Sequence, residues 1–105
     1  MLKKDLKIAT SFKMRIQTLP AFKRMVVFGS RTRGHASSES DLDIFVEVSA
    51  IDSEIRKQIQ TEAWEISLES GLVISTFIAS TDALQFSMLS ANPILKAIEL
   101  EGIVV

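Results

Sequence analysis

The chain has 105 residues, 47% of them hydrophobic, a net charge of −1 and no cysteine. Those numbers suit one domain over residues 1–105 with a modest core, and they exclude a disulfide framework, thiol chemistry and a cysteine zinc site. No apolar run is long enough to span a bilayer, and the start, MLKKDLKIATSFKMRIQ, lacks the continuous apolar stretch of a secretory signal, so a cytoplasmic protein is expected.

Leu2, Leu6, Ala9, Phe12, Ile16 and Leu19 recur at spacings of three and four. They predict an amphipathic helix that ends before Pro20. This spacing, with Asp5, favours an ordinary helix over a transit peptide. Met25 to Phe28, MVVF, is an all-apolar run and reads as a buried strand. Residues 30–40 read as a short helical turn and a serine-rich loop. DLDIFVEV then alternates: Leu42, Ile44, Val46 and Val48 face one way, and Asp41, Asp43, Phe45 and Glu47 the other.

Ile55, Ile59, Ala63 and Ile66 mark a second helix, with Asp52 or Ser53 as its cap and Gly71 as its stop. Leu72 to Ile78, LVISTFI, reads as a third strand. Thr81 is expected to cap a short helix through Met88. Asn92-Pro93 opens a last helix that Gly102 ends. The apolar tail Ile103-Val104-Val105 needs cover. It is expected either to dock on a partner or to close the edge of the chain's own sheet. The order of elements predicts an α/β (α+β) domain: a mixed sheet of three to four strands with helices mainly on one face.

Charge is divided along the chain. Residues 1–33 hold nine of the twelve Lys and Arg and only one acid, Asp5; the remaining residues hold three bases and twelve of the thirteen acids. Two readings fit. The halves pair with each other in the fold, or a basic surface receives an anion beside carboxylates that hold a cation. The first is expected for most of these charges, because charged faces are usually just solvated. Lys4, Lys7 and Arg15 form a basic stripe on the first helix, but the overall balance does not mark a dedicated nucleic-acid binder.

The stretch FGSRTRGHASSESDLDIF carries the chemistry. Gly29 permits close backbone approach to a ligand, and Ser30 opens a turn whose free N–H groups and hydroxyl suit phosphate. Arg31 and Arg33 follow and would supply charge to the same anion; Gly34 lets the chain leave the turn. Gly-Ser alone is a common turn pair. Asp41 and Asp43, two apart on a strand, point to one face about 7 Å apart. Two carboxylates so placed repel unless a cation sits between them, and Mg²⁺ is the expected one. Asp is disfavoured in strands, so Asp43 between Leu42 and Ile44 asks for a reason. If the two strands are neighbours, phosphate donors and metal ligands meet in one cleft, as a reaction on a nucleoside triphosphate requires.

Gly29-Ser30, ten residues, then Asp41-Leu42-Asp43 resembles the signature of the minimal nucleotidyltransferases, in the DNA polymerase beta-like superfamily. The resemblance is specific over residues 25–48 and continues weakly through LVISTFIAS and AIELEGI. It implies the polymerase beta-like fold and Mg²⁺-dependent transfer of AMP or another nucleoside monophosphate from ATP or another triphosphate, with two metal ions in active members. By motif position, Gly29, Ser30 and Arg33 would bind nucleotide, and Asp41 and Asp43 would be the catalytic metal ligands. The resemblance also implies a partner, because small members often act as antitoxins of a HEPN-type ribonuclease toxin, some by attaching AMP to a toxin tyrosine. No membrane and no direct nucleic-acid contact are implied; self-association stays open.

One feature departs from the family. Active members usually carry a third carboxylate on the following strand, where this chain has Ser75 and Thr76. Glu47 shares Asp43's face but stands about 13 Å along the strand, and Glu39 lies in the loop. The alternative reading is therefore a catalytically degenerate antitoxin that binds nucleotide or acts by steric contact. His35, the only histidine, reads as a solvated loop residue. Trp64 reads as a packing residue, and the four methionines as ordinary core and surface residues.

Overall fold

The computed structural model describes residues 1–33, 40–86 and 92–105. Gly34, His35, Glu39 and Met88 lie outside the described residues. Helix α1 spans Lys3–Ile16, strand β1 Phe22–Phe28 and strand β2 Leu42–Val48. Helix α2 spans Ser53–Ser70, β3 Ile74–Ser80, α3 Thr81–Phe86, α4 Pro93–Glu101 and β4 Ile103–Val104. A single 3-10 turn, Ser30–Arg33, follows β1.

The strands form one mixed sheet in the order β3-β2-β1-β4. β1 runs antiparallel to β2 and to β4, and β3 runs parallel to β2. Both faces of the sheet are covered, unequally. Met25 and Val27 of β1 and Leu42, Ile44, Val46 and Val48 of β2 pack with Ala9, Phe12 and Ile16 of α1 and Ile59, Ala63 and Ile66 of α2. The other face carries a smaller cluster of Val26, Phe45, Ala79 and Ile98, flanked by Leu84 and Leu95 of the two short helices. The two long helices thus hold one face, and α3 and α4 add a thinner layer on the other.

Local chemistry explains the boundaries. Asp52 caps α2 by accepting from the Ile55 N–H at 2.8 Å, and Gly71 ends it at φ +74°. Asn92 caps α4 by accepting from the Ile94 N–H at 2.9 Å. Asp52→Ala should cost about 1 kcal/mol, read as a fall of roughly 4–8 °C in thermal midpoint. Thr81 does not cap α3. The Ser80 hydroxyl accepts from the Ala83 N–H, while Thr81 donates its hydroxyl to Glu47 at 2.7 Å.

The tail closes the chain's own sheet: Val104 pairs with Val26 and Ile103 with Val27, and Lys13 Nζ donates to the Val105 carbonyl. The expected stripe of α1 also shifts. Leu2 and Leu6 are exposed, whereas Asp5, Ala9, Phe12 and Ile16 are buried. Trp64 is exposed as well.

The divided charge is paired in part within the fold: Arg15, Arg24 and Arg33 meet acids from the rest of the chain. Arg15 turns to α2 and meets Glu62, Glu65 and Glu69 at 2.9–3.4 Å, so it leaves the basic stripe of Lys4 and Lys7.

Candidate active site

β1 ends where the Gly-Ser turn begins, and β2 begins where the Asp pair stands. Antiparallel pairing brings these ends together: Phe28 is the register partner of Asp43. Gly29 adopts φ +83°, a conformation that only glycine takes without strain. A methyl group built on Gly29 would overlap Asp43 Oδ2, so the turn backbone lies flush against the carboxylate. Gly29→Ala should therefore destabilise the chain by about 1–3 kcal/mol, from strain at positive φ and from the overlap. Chemical denaturation checks this, with a lower midpoint as the expected result.

The turn is tied down on its own side. The Gly29 carbonyl accepts from the Thr32 N–H at 3.1 Å and from the Thr32 hydroxyl at 2.6 Å. Ser30, next along, is partly exposed. Asp41 is exposed at the mouth and Asp43 half-buried behind it. Burial, and then the negative charge of Asp41, push the Asp43 carboxyl above its ordinary range. Both effects disfavour the charged form of Asp43, and a cation between the two carboxylates would offset them. Two oxygen donors of this kind beside an open backbone suit Mg²⁺, which shares its shell with substrate phosphates.

The two arginines separate. Arg33 is half-exposed and forms an ion pair with Glu101 at the end of α4, Nη1 to Oε2 at 2.6 Å. Arg31 does not contribute charge to an anion at the turn. It is 5% exposed and binds Asp5 through two parallel hydrogen bonds at 2.9 and 3.1 Å. Sequence reasoning missed this partnership. Its one signal was Asp5 standing in the same helical row as Ala9, Phe12 and Ile16.

β3 carries no third acid. Ser75 is the parallel register partner of Asp43, and Phe77 and Ala79 follow on that face. Phe77 stacks on Phe45 with ring centres 6.0 Å apart. Glu47 is engaged elsewhere. Burial alone would push it up, but hydrogen bonds from Arg24 and Thr81 and the nearby positive charge hold it below the usual carboxylate range. Among the described residues, no group of three or more His, Cys, Asp or Glu is placed to hold a metal.

Comparison with known structures finds the same architecture. A chain of a toxin–antitoxin crystallised with AMP-PNP is 15% identical, with a TM-score of 0.64, covering 98% of this chain and 72% of its own. In the complex of tri-AMPylated Shewanella oneidensis HEPN toxin with MNT antitoxin, a chain is 16% identical at a TM-score of 0.56, over 96% of this chain and 70% of that one. A nucleotidyltransferase-like protein from Sulfolobus solfataricus is 13% identical at 0.53, over 99% and 87%. At these identities the likeness is one of fold. Curated protein sequences gave no match. The sequence profile of the nucleotidyltransferase domain, however, matches residues 7–79. That span includes the Gly-Ser turn, the Asp pair and the strands that join them, and the chain belongs to the nucleotidyltransferase domain family.

Proposed function

We propose that the chain transfers AMP from ATP to a hydroxyl of a partner protein, acting as the antitoxin of a HEPN-type toxin. One observation carries the chemistry: the Gly29 backbone lies against the Asp43 carboxylate, so a triphosphate seated on the turn would meet both carboxylates. The Ser30 hydroxyl and the N–H groups of the turn would bind phosphate oxygens, and Arg33 would exchange Glu101 for a phosphate. Asp41 and Asp43 would hold Mg²⁺, whose charge would offset that of the triphosphate. The acceptor oxygen forms a bond to the α-phosphorus as the bond from that phosphorus to the bridging oxygen breaks. Pyrophosphate leaves, and the hydroxyl proton passes to solvent or to a base on the partner. The protein acceptor and the toxin partner rest on the resemblance and on the HEPN toxin–MNT antitoxin complex of like fold.

A second reading has its own observation. Ser75, not an acid, faces Asp43 across β2 and β3, which favours an antitoxin that binds nucleotide and partner without turnover. Incubation with α-labelled ATP and Mg²⁺ separates the two. Label on a protein that co-purifies with the chain supports transfer. An unlabelled partner that stays bound supports the degenerate antitoxin.

A further inference from the structure

The most deeply buried charges among the described residues lie beside the site and touch neither motif directly. Asp5 is 1% exposed and Arg31 5%. Their paired hydrogen bonds use Nε and Nη2 of the guanidinium. The remaining nitrogen, Nη1, donates to the Ser40 carbonyl at 2.9 Å. Ser40 immediately precedes Asp41, and Arg31 immediately follows Ser30. One side chain therefore joins the Gly-Ser turn to the residue just before the Asp pair and anchors both to the first turn of α1.

Stability alone does not account for this arrangement. A buried ion pair sacrifices hydration for both partners, and apolar residues of like size are often as stabilising or more so. The guanidinium offers what apolar residues cannot: a rigid fork that fixes three backbone segments in one geometry. Asp5 holds the fork in plane, and the third arm sets the height of Ser40. Metal and phosphate ligands reached from separate segments need such support, since outer partners of metal ligands tune affinity strongly.

We propose that Asp5 and Arg31 are positioning residues, which hold Asp41 in register with the Gly29-Ser30 turn. The inference rests on the reading of the site given above. It is tested in the full chain with Asp5→Leu/Arg31→Met, which replaces the pair by apolar groups, and with Arg31→Lys, which keeps charge but loses the fork.

Hydrogen exchange is read first, because it needs neither nucleotide nor metal. The Ser40 to Leu42 amides should exchange about tenfold faster or more in both variants, while α2 and β3 keep their protection. Mn²⁺ affinity, measured without nucleotide, should fall by about tenfold or more, with the thermal midpoint of the apolar pair held near that of the parent. Unchanged exchange at residues 40–42 and unchanged Mn²⁺ affinity in a folded apolar variant would overturn the proposal. Should that variant not fold, the same two readings on Arg31→Lys decide it. Absence of AMP transfer by the parent bears on the proposed function and leaves the exchange comparison to stand or fall by itself.

Discussion

Asp41→Ala/Asp43→Ala should remove Mg²⁺-dependent nucleotide binding and transfer, by about a hundredfold or more, and leave the chain folded. The two carboxylates contribute little to the fold. Asp41 is exposed, and Asp43 lies on the face of β2 away from the large core. Asp43 even opposes folding when charged, since burial and then Asp41 raise its pKa. The sign follows from linkage. A carboxyl whose pKa is higher in the folded chain holds its proton more tightly there. Its stabilising contribution is present below the ordinary Asp range and is lost as pH rises through the raised value. Asp43→Asn should therefore be more stable than the parent near neutral pH without metal, with the difference vanishing in acid. Metal binding has the opposite dependence, because it needs the carboxylate and weakens as pH falls through the same value. Thermal melts across pH, with and without Mg²⁺, check both signs. A variant less stable than the parent at neutral pH would mean that Asp43 is a structural residue.

The parts of the fold that were legible share a physical character. Asp52, Gly71, Asn92-Pro93 and Gly102 act within a few residues of themselves, so caps and stops could be read from local chemistry. The alternation of β2 was legible because the inward face of one strand reports the core directly. The Gly-Ser turn and the Asp pair could be placed in one cleft only on the condition that β1 and β2 are neighbours, and the register supplies it.

What stayed hidden depended on distant partners. The tail Ile103-Val104 left a choice between a partner and the chain's own sheet, and pairing with the edge of β1 decides it. Leu72 and Val73 look like strand residues, yet β3 begins at Ile74; the Leu72 N–H is taken by the Ser70 hydroxyl, while the Val73 carbonyl accepts from Leu42. Asp5 breaks the rule that charges face outward, and nothing within its own helix explains why. Its reason is Arg31, 26 residues away.

Ser75→Asp should raise transfer by about tenfold or more. The register fixes where the new acid would stand. β3 is parallel to β2 and Ser75 is level with Asp43, so both side chains project from the same face on adjacent strands, whose backbones lie about 4.8 Å apart. Ser75 is exposed, so an added carboxylate meets no packing obstacle. A third carboxylate there would complete a set of oxygen ligands able to hold a second cation, the one that lowers the pKa of an attacking hydroxyl. The same change carries an electrostatic cost. Three carboxylates in one cleft repel, so the metal-free variant should melt lower than the parent, and added Mg²⁺ should raise its midpoint more than it raises the parent's. The two readouts together discriminate. Faster label transfer with a larger Mg²⁺ shift would identify the missing acid as what limits this chain. A larger Mg²⁺ shift without transfer would assign the cleft to nucleotide and metal binding alone, and would make contact with the partner the means by which the protein acts.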